Sequence, residues 1–214
     1  MLILDIVINH LTNIKHELEI VFFHKISYYQ CLIFQKKPTN LHLGSNFNKI
    51  KGFANIDYCE GAEYRLDLRR ELPFKDKSVS YIFSEHTFEH FAYPQEITHV
   101  FSECFRVLQK ERKMDFSIPD FEKIIKSYYS DQKIFDIYMQ DFLRCGVNSL
   151  WQTKNDFLDL LVRQEGEHKY LYDFQTLKRL LQKVGFSKIK KRNKNNYDSK
   201  ERKNFSLYVC CTRE

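Results

Sequence analysis

The sequence contains little of what marks loop-rich, extracellular or membrane-spanning proteins. Its 214 residues include only six glycines and four prolines, which argues against collagen-like, linker-like and loop-dominated architectures. Its six cysteines form no C-x-x-C pair, so we expect reduced, intracellular thiols rather than a disulfide framework. Charged residues and histidines interrupt the apolar N-terminal stretch well short of the ~20 apolar residues of a membrane span. The start also lacks the basic region of a signal peptide, and we expect a cytoplasmic protein.

What the sequence does contain is enough apolar material for a packed core and one concentration of positive charge. Apolar residues make up 43% and charged residues 29% of the chain, as in ordinary globular domains. The formal net charge is +6, and residues 187–203 alone hold eight basic and two acidic side chains, which equals the whole excess. Such a segment is most often a solvated loop or hairpin, and contact with nucleic acid is the alternative.

Hydrophobic patterning divides the chain into a helical N-terminal extension and an α/β domain. In residues 1–37 the apolar spacing predicts an amphipathic helix followed, from Val21, by a less regular stretch. Pro38 closes that region, and residues 38–214 form the main domain. Aromatic residues and leucines at helical spacing predict a helical cap inserted over 121–170. The N-terminal extension is a candidate for covering a ligand or for forming a homodimer contact.

Short strands and helices alternate from Asn40 onwards. Segments of strand character are 40–44, 52–57, 78–84, 113–118, 186–190 and 205–212, with a further short strand before Asp67. Helices are predicted over 96–108 and 174–184, the second closed by Gly185 as a left-handed C-cap. This order predicts a mostly parallel sheet covered by helices on both faces. Ligands of such folds bind at the carboxyl ends of the strands, where the strand order reverses.

Three residues at predicted strand ends are candidates for binding a nucleoside. Gly44 follows the first strand and has no Cβ, so the backbone can approach a ligand closely. Asp57 ends the next strand, where a carboxylate can accept hydrogen bonds from both hydroxyls of a ribose. Asp67 follows a further short strand and could accept from an exocyclic adenine amine while Leu68 packs on the ring.

Several segments in this order carry a family resemblance. They are LHLGSNFNKIKGFANIDY, RLDLRRELPFKDKSVSYIFSEHTFEHF, HVFSECFRVLQKERKMDFSIPD and EHKYLYDFQTLKRLLQKVGFSKI. Together they resemble the class I S-adenosylmethionine-dependent methyltransferases, in the branch of small soluble enzymes that opens with Leu-x-Leu-Gly-x-Gly. The resemblance covers residues 40–212. It implies an α/β, three-layer Rossmann-like fold, with a mostly parallel seven-stranded sheet whose last strand is antiparallel.

The resemblance also implies S-adenosylmethionine as the cofactor and a set of residues that bind it. These are Gly44, Ser45, Asn46, Asp57, Asp67, Leu68, Ser84 and Glu85. Residues 44–46 would line the methionine moiety, and Asp57 would bind the ribose. Asp67 and Leu68 would hold the adenine. Ser84 and Glu85 would face cofactor and substrate.

The sequence departs from the family pattern at two turns. Asn46 stands where the family has a second glycine, and asparagine tolerates a positive φ better than other non-glycine residues. Gln109 to Arg112 stand where the family usually has Lys-Pro-Gly-Gly before the fifth strand. We expect that second turn to lie away from the cofactor and to affect stability more than binding.

The function implied is methyl transfer to a small-molecule or a saccharide- or lipid-linked acceptor. His86 and His90 are the first choices as catalytic bases. An alternative is a non-catalytic domain of the same fold. A third reading is a zinc hydrolase, because His86-Thr-Phe-Glu89-His90 matches H-x-x-E-H, which on a helix places both imidazoles on one face. The family pattern of the flanking segments favours a site without metal.

Overall fold

A single sheet of seven strands organises the main part of the chain. The computed structural model describes residues 2–34, 40–130, 133, 135–137, 139–140 and 153–214. The strands are β1 (Asn40–Leu43), β2 (Ala54–Asp57), β3 (Tyr64–Arg65), β4 (Val79–Glu85), β5 (Leu108–Pro119), β6 (Ser187–Lys191) and β7 (Ser206–Arg213). Their order across the sheet is β3-β2-β1-β4-β5-β7-β6.

The strand directions confirm the fold predicted from the sequence. Strands β1 to β5 run parallel to one another, whereas β7 runs antiparallel to both of its neighbours, β5 and β6. The order reverses between β1 and β4, so the chain leaves these two adjacent strands in opposite directions across the sheet. A crevice therefore opens at their carboxyl ends, the place where Rossmann-like folds bind ligands.

Five α-helices accompany the sheet in the described part of the chain. They are α1 (Leu2–Phe34), α2 (Gln95–Val107), α3 (Phe121–Ser130), α4 (Lys154–Arg163) and α5 (Phe174–Val184). α5 begins at Asp173, whose carboxylate accepts from the Thr176 amide at 2.7 Å, and ends at Gly185 with φ of 117°. The predicted left-handed cap is therefore confirmed. Buried leucines of α5 pack with the apolar face of α2 against the sheet.

The N-terminal helix is longer than predicted. α1 is one continuous helix to Phe34, so the irregular stretch expected from Val21 onwards is wrong. Its inward face buries Ile20, His24 and Ser27. The opposite face carries an apolar stripe that is exposed, made of Leu11, Ile14, Leu18, Phe22, Ile26, Tyr29 and Leu32. Because polar His24 and Ser27 are buried while apolar residues are exposed, α1 lacks the simple pattern by which an amphipathic helix is identified from sequence.

The predicted turn at residues 109–112 is instead a bulge within β5. β4 advances only from Val79 to Tyr81 while β5 advances from Leu108 to Lys113. Glu111 within the bulge has φ of 58°. The strand assignment runs through these residues, so β5 is longer than the predicted 113–118.

The connection from β1 to β2 contains no helix, and a buried asparagine organises it. Asn55 Oδ1 accepts from the Ile50 amide at 2.8 Å, and Asn55 Nδ2 donates to the carbonyls of Ile50 and Phe53 at 3.2 and 3.1 Å. The Asn55 side chain thus forms hydrogen bonds with backbone groups of the loop. In a crossover helix, backbone groups would instead bond to one another. This leaves loop 44–53 as a wall of the crevice.

Part of the predicted helical cap can be described. α3 and α4 share a small apolar cluster with Phe205, which precedes β7. Residues 131–132, 134, 138 and 141–152 of the predicted cap, together with 35–39 at the junction of extension and domain, lie outside the described residues. In the part of the chain that is described, no helix combines the length and apolar character needed to cross a bilayer.

Candidate active site

A cleft of about 1020 Å³ lies at the carboxyl ends of β1, β2 and β4. We divide its lining residues into two groups. The glycine-loop wall comprises Gly44, Ser45, Asn46, Asp57, Asp67 and Leu68. The histidine wall comprises Glu85, His86, Thr87, His90, Lys169, Tyr197, Ser199 and Arg202. The first wall comes from one stretch of sequence, and the second from three separate stretches.

The glycine loop turns sharply through two residues with positive φ. Gly44 has φ of 70° and Asn46 has φ of 44°, so asparagine adopts the left-handed conformation predicted for it. A Cβ on Gly44 would lie 1.9 Å from Thr87 Oγ1 and 2.7 Å from Thr87 Cβ. Gly44 is therefore required both by its backbone conformation and by the close approach of the histidine wall.

Asp57 is held at the lip of the cleft by backbone amides. Its Oδ2 accepts from the amide of Asn46 at 3.0 Å and its Oδ1 from the amide of Cys59 at 3.1 Å. An ionised carboxylate has about four lone-pair directions. Each oxygen can therefore accept a further hydrogen bond from a molecule in the cleft.

Asp67 is buried next to α1. Burial alone would raise the pKa of its carboxyl, but hydrogen bonds from Arg69 and the charges of Arg69 and Arg70 outweigh burial and lower that pKa. The Asp67 amide donates to His24 Nδ1 at 3.1 Å, and Arg69 also reaches Glu17 at 3.1 Å. α1 thus closes the cleft beside Asp67.

Ser84 and Glu85 were both predicted to face cofactor and substrate, but of the two only Glu85 lines the cleft. The Ser84 side chain is fully buried, is not part of the cleft lining, and donates to the Leu43 carbonyl at 3.0 Å. It fixes the ends of β1 and β4 to each other rather than facing a ligand. Glu85 does line the cleft, and its Oε1 accepts from the Ser199 amide at 2.8 Å.

The basic segment 187–203 folds back over the cleft after β6. Arg192 forms a buried ion pair with Asp198 through both guanidinium nitrogens. Tyr197 packs its ring against Phe53 and Phe83, with centroids 5.0 and 5.6 Å away. Because Arg192 is paired with Asp198 inside the protein, part of the positive charge of segment 187–203 is buried rather than exposed to solvent.

His86 is not on a helix, which corrects the H-x-x-E-H expectation. Only Phe88–His90 form a short 3-10 helix, and His86 stands before it with φ of 49°. Its Nε2 lies 2.6 Å from Ser206 Oγ and its Nδ1 lies 3.4 Å from Glu89 Oε1. Burial lowers the pKa of His86, so the neutral imidazole is favoured. The two histidines of the motif do not share a helical face.

His90 instead meets a histidine that is distant in sequence. The rings of His90 and His168 are in edge contact, with centroids 5.0 Å apart. Glu89 and these two histidines each offer a ligand atom within 4.8 Å of the others. Lys169 and Tyr170, next to His168, both donate their amides to the Glu89 carbonyl, at 2.8 and 3.2 Å.

Sequence reasoning missed most of the histidine wall beyond His86, His90 and Glu85. Thr87 lies within the motif but was not singled out, and Tyr197, Ser199 and Arg202 were assigned to a solvated loop. The residues of α1 that line the cleft, His16, Glu17 and Ile20, were also missed individually. The available signal was Tyr197. An aromatic side chain within a basic segment indicates that the segment packs against the protein, because a solvated loop gives the ring nothing to pack on.

Comparison with known proteins gives one family match and many matches of fold. The family model of the methyltransferase domain matches residues 45–114, which include Asn46, Asp57 and Asp67 of the glycine-loop wall and the whole of β4. No curated protein sequence matches significantly.

Among solved structures, the chain resembles a possible exported protein from Bordetella parapertussis, at 12% identity and a TM-score of 0.50, over 89% of this chain and 66% of that one. It resembles a Haemonchus contortus phosphoethanolamine N-methyltransferase, in complex with phosphomonomethylethanolamine and S-adenosylhomocysteine, at 12% identity and a TM-score of 0.50, over 81% and 48% of the two chains. A third similar structure is the complex of the Haloferax volcanii Trm112 methyltransferase activator with a methyltransferase, at 11% identity and a TM-score of 0.51, over 89% and 88%.

The chain therefore spans less than two thirds of the first two of these proteins. The structural likenesses support the Rossmann-like methyltransferase fold, and the family match covers the strand ends that line the cleft. S-adenosylmethionine is the cofactor of this family. The chain thus has a methyltransferase-like fold, and residues 45–114, about a third of its length, are similar in sequence to the methyltransferase domain.

Proposed function

We propose that the cleft binds S-adenosylmethionine along the glycine-loop wall and transfers its methyl group to an acceptor held at the histidine wall. The acceptor class we propose is a small molecule or a saccharide- or lipid-linked metabolite. The observation that carries the proposal is the juxtaposition of a glycine turn, with φ of 70° at Gly44, and the Asp57 carboxylate at one lip of the cleft.

The residues present fit the cofactor. The cleft volume of about 1020 Å³ is at the upper end of the ~300–1,000 Å³ of small-molecule sites, so cofactor and acceptor can share it. Gly44 leaves the backbone accessible, and Asp57 retains capacity to accept from ribose hydroxyls. Asp67 is kept ionised by Arg69 and Arg70, which suits acceptance of a hydrogen bond from an amine.

Methyl transfer from a sulfonium is an in-line displacement in which the acceptor's electron pair forms the new bond to carbon and the carbon–sulfur pair stays on sulfur. The chain's task is mainly to align two partners. The glycine-loop wall would fix one partner, and α1 would close the cleft beside Asp67. Tyr197 and Lys169 of the histidine wall are placed to contact the other partner.

The contacts of the two histidines favour a catalytic role for His90 over one for His86. Both nitrogens of His86 face protein groups, Ser206 and Glu89, which suits a residue that positions others. His90 lines the cleft and is only half-buried. Of the two, His90 is the better candidate to touch an acceptor.

Cofactor binding tests the proposal through one matched pair of variants. S-adenosylhomocysteine is titrated calorimetrically into the wild type, Asp57→Ala and Asp159→Ala. Asp159 lies on α4, outside the cleft lining, with a side chain 56% exposed. We expect roughly micromolar affinity in the wild type. Loss of hydrogen bonds to a charged group should weaken it ~10- to 100-fold in Asp57→Ala, whereas Asp159→Ala should bind as the wild type does.

Two outcomes would contradict the proposal in different ways. A folded wild type that does not bind S-adenosylhomocysteine would favour the non-catalytic alternative. Unchanged affinity in Asp57→Ala would mean that the cofactor lies elsewhere in the cleft. The division into a 1–37 extension and a 38–214 domain, the homodimer contact and the nucleic-acid contact of 187–203 stay predictions.

A further inference from the structure

Glu89 is a buried carboxylate without a hydrogen bond. Its side chain is 1% exposed, and neither Oε1 nor Oε2 has a hydrogen-bond partner. The nearest ionisable group is the imidazole of His86, whose Nδ1 lies 3.4 Å from Oε1 and whose neutral form is favoured by burial. A buried carboxylate is costly unless a positive charge or several donors compensate it. The structure around Glu89 must therefore supply a cation.

Two imidazoles stand beside this carboxylate. His90 and His168 each offer a ring nitrogen within 4.8 Å of a Glu89 oxygen and of each other. Bond lengths of about 2.0–2.2 Å to nitrogen and oxygen place the ligand atoms of one metal ion ~3–3.5 Å apart. One bound ion would therefore draw the three ligand atoms, now within 4.8 Å of one another, to those separations.

His168 has the second contact that a metal-binding histidine needs. Its Nδ1 lies 2.6 Å from the backbone carbonyl of Leu161. A carbonyl can only accept, so Nδ1 carries the proton and Nε2 is left with the lone pair. A second hydrogen bond of this kind fixes the tautomer and orientation of histidine ligands.

The backbone also holds the three groups together across the sequence. Glu89 and His90 lie in the 3-10 helix that follows β4, whereas His168 follows α4. The amides of Lys169 and Tyr170 donate to the carbonyl of Glu89, which docks one segment on the other. Leu161, which orients His168, is itself fully buried in the cluster of α3 and α4. The arrangement is therefore fixed by packing on both sides.

We propose that Glu89, His90 and His168 bind a divalent transition-metal ion at the edge of the cleft. One carboxylate and two imidazoles suit zinc, iron, cobalt and manganese ions. Three protein ligands leave coordination positions open. Because His90 lines the cleft, an oxygen or nitrogen of a bound molecule can take one of those positions. In the loaded protein His90 is a metal ligand rather than a base.

This set of ligands differs from the one that H-x-x-E-H suggests. In that motif the two histidines bind the metal and the glutamate acts on water. Here His86 lies outside the group, and His168, which is remote in sequence, takes its place. The competing explanation is a proton on one imidazole, which would compensate Glu89 without a metal. Metal titration distinguishes the two.

The test uses tag-free protein dialysed against a chelator and titrated with Co²⁺, followed by visible absorption, and with Zn²⁺ in competition. We expect one ion per chain. Glu89→Gln and His168→Gln should each weaken binding by at least ~10- to 100-fold, since even residues that only support a ligand matter that much. His86→Asn should retain binding. His99→Ala, at an exposed position of α2, is the matched control and should bind as the wild type does.

Circular dichroism on each variant separates a lost site from a lost fold. If His168→Gln does not fold, His90→Gln, which changes a half-buried side chain, gives the same test. Failure of the folded wild type to bind Co²⁺, Zn²⁺ or Mn²⁺ would overturn the proposal. Binding that is unchanged in His168→Gln, or abolished in His86→Asn alone, would overturn it as well. None of these results depends on whether the cleft binds S-adenosylmethionine.

Discussion

The two walls of the cleft are built in different ways. The glycine-loop wall comes from residues 44–68, and hydrogen bonds between its own residues, such as the one from the Asn46 amide to Asp57, are short in sequence. The histidine wall brings together the segments after β4, after α4 and after β6, and depends on contacts such as Ser199 to Glu85. A wall made by local turns can be inferred from a sequence motif. A wall made by segments that are distant in sequence can be recognised only when the fold is known.

Gly44→Ala should have the largest effect, because Gly44 is where the two walls meet. The new Cβ would lie 1.9 Å from Thr87 Oγ1 at a backbone φ of 70°, and Thr87 is a short, stiff side chain. Steric overlap and backbone strain together should lower the free energy of unfolding by about 3 kcal/mol or more. Urea denaturation measures the change.

Gly52→Ala is the matched control for that variant. Gly52 also has a positive φ, 85°, but an added Cβ would meet nothing within 4 Å. Backbone strain alone should cost about 1 kcal/mol. If both alanine variants lose the same amount, the contact between the walls at Thr87 has no energetic weight.

His24→Ala should have an intermediate effect and tests whether α1 belongs to the glycine-loop wall. The variant leaves the Asp67 amide without its acceptor, which should cost ~1–3 kcal/mol at pH 7.5. Burial lowers the pKa of His24, so between that pKa and 6.5 the unfolded chain binds more protons than the folded one. The wild type therefore loses this contribution as the pH falls below 6.5.

The pH dependence gives this prediction its sharpest form. Burial and the charge of Arg70 both lower the pKa of His24, and together they outweigh the charge of Asp67, which raises it. The difference in unfolding free energy between wild type and His24→Ala should narrow from pH 7.5 to pH 5. A difference that widens towards acid pH would show that His24 is held in its charged form. His99→Ala, on exposed α2 surface, should match the wild type throughout.

Asn46 variants should have the smallest effect. Asn46→Gly removes a side chain from a position with φ of 44° and costs only the weak contact of Asn46 Oδ1 with Cys59 Sγ at 3.6 Å. Stability should change by less than ~1 kcal/mol. S-adenosylhomocysteine affinity should stay equal or increase about threefold, which corresponds to ~0.6 kcal/mol.

Asn46→Ala is the companion variant at the same position. Alanine lacks both the freedom of glycine and the local hydrogen bonding of asparagine, so it should be the least stable of the three. Denaturation curves rank them. An alanine variant as stable as the wild type would mean that the left-handed turn is not required at this residue.

Sequence reasoning predicted the sheet and the glycine-loop wall because both are encoded locally. The short apolar runs before Gly44 and Asp57 are strands, and asparagine at position 46 takes the positive φ expected of it. Sequence reasoning failed where a side chain contacts residues that are distant in sequence. Ser84 was expected to face the cofactor, yet its hydroxyl is used by Leu43 on the neighbouring strand.

The remaining errors have the same physical origin. α1 was expected to become irregular because its apolar stripe is exposed, while the face that packs on the domain includes the polar side chains of His24 and Ser27. The basic segment was expected to be solvated because the pairing of Arg192 with Asp198 and the packing of Tyr197 depend on the sheet beneath them. His168 could not be joined to Glu89 and His90 from spacing alone, since the described sequence between them includes three α-helices, α2, α3 and α4, and the strand β5.

The most direct test of the account is a crystal structure of the chain with S-adenosylhomocysteine. The account predicts the ribose hydroxyls on the Asp57 carboxylate, the adenine between α1 and Asp67 with Leu68 against the ring, and the homocysteine sulfur directed from residues 44–46 towards His90. A ligand bound with its ribose away from Asp57, or an empty cleft in crystals grown at saturating ligand, would contradict it.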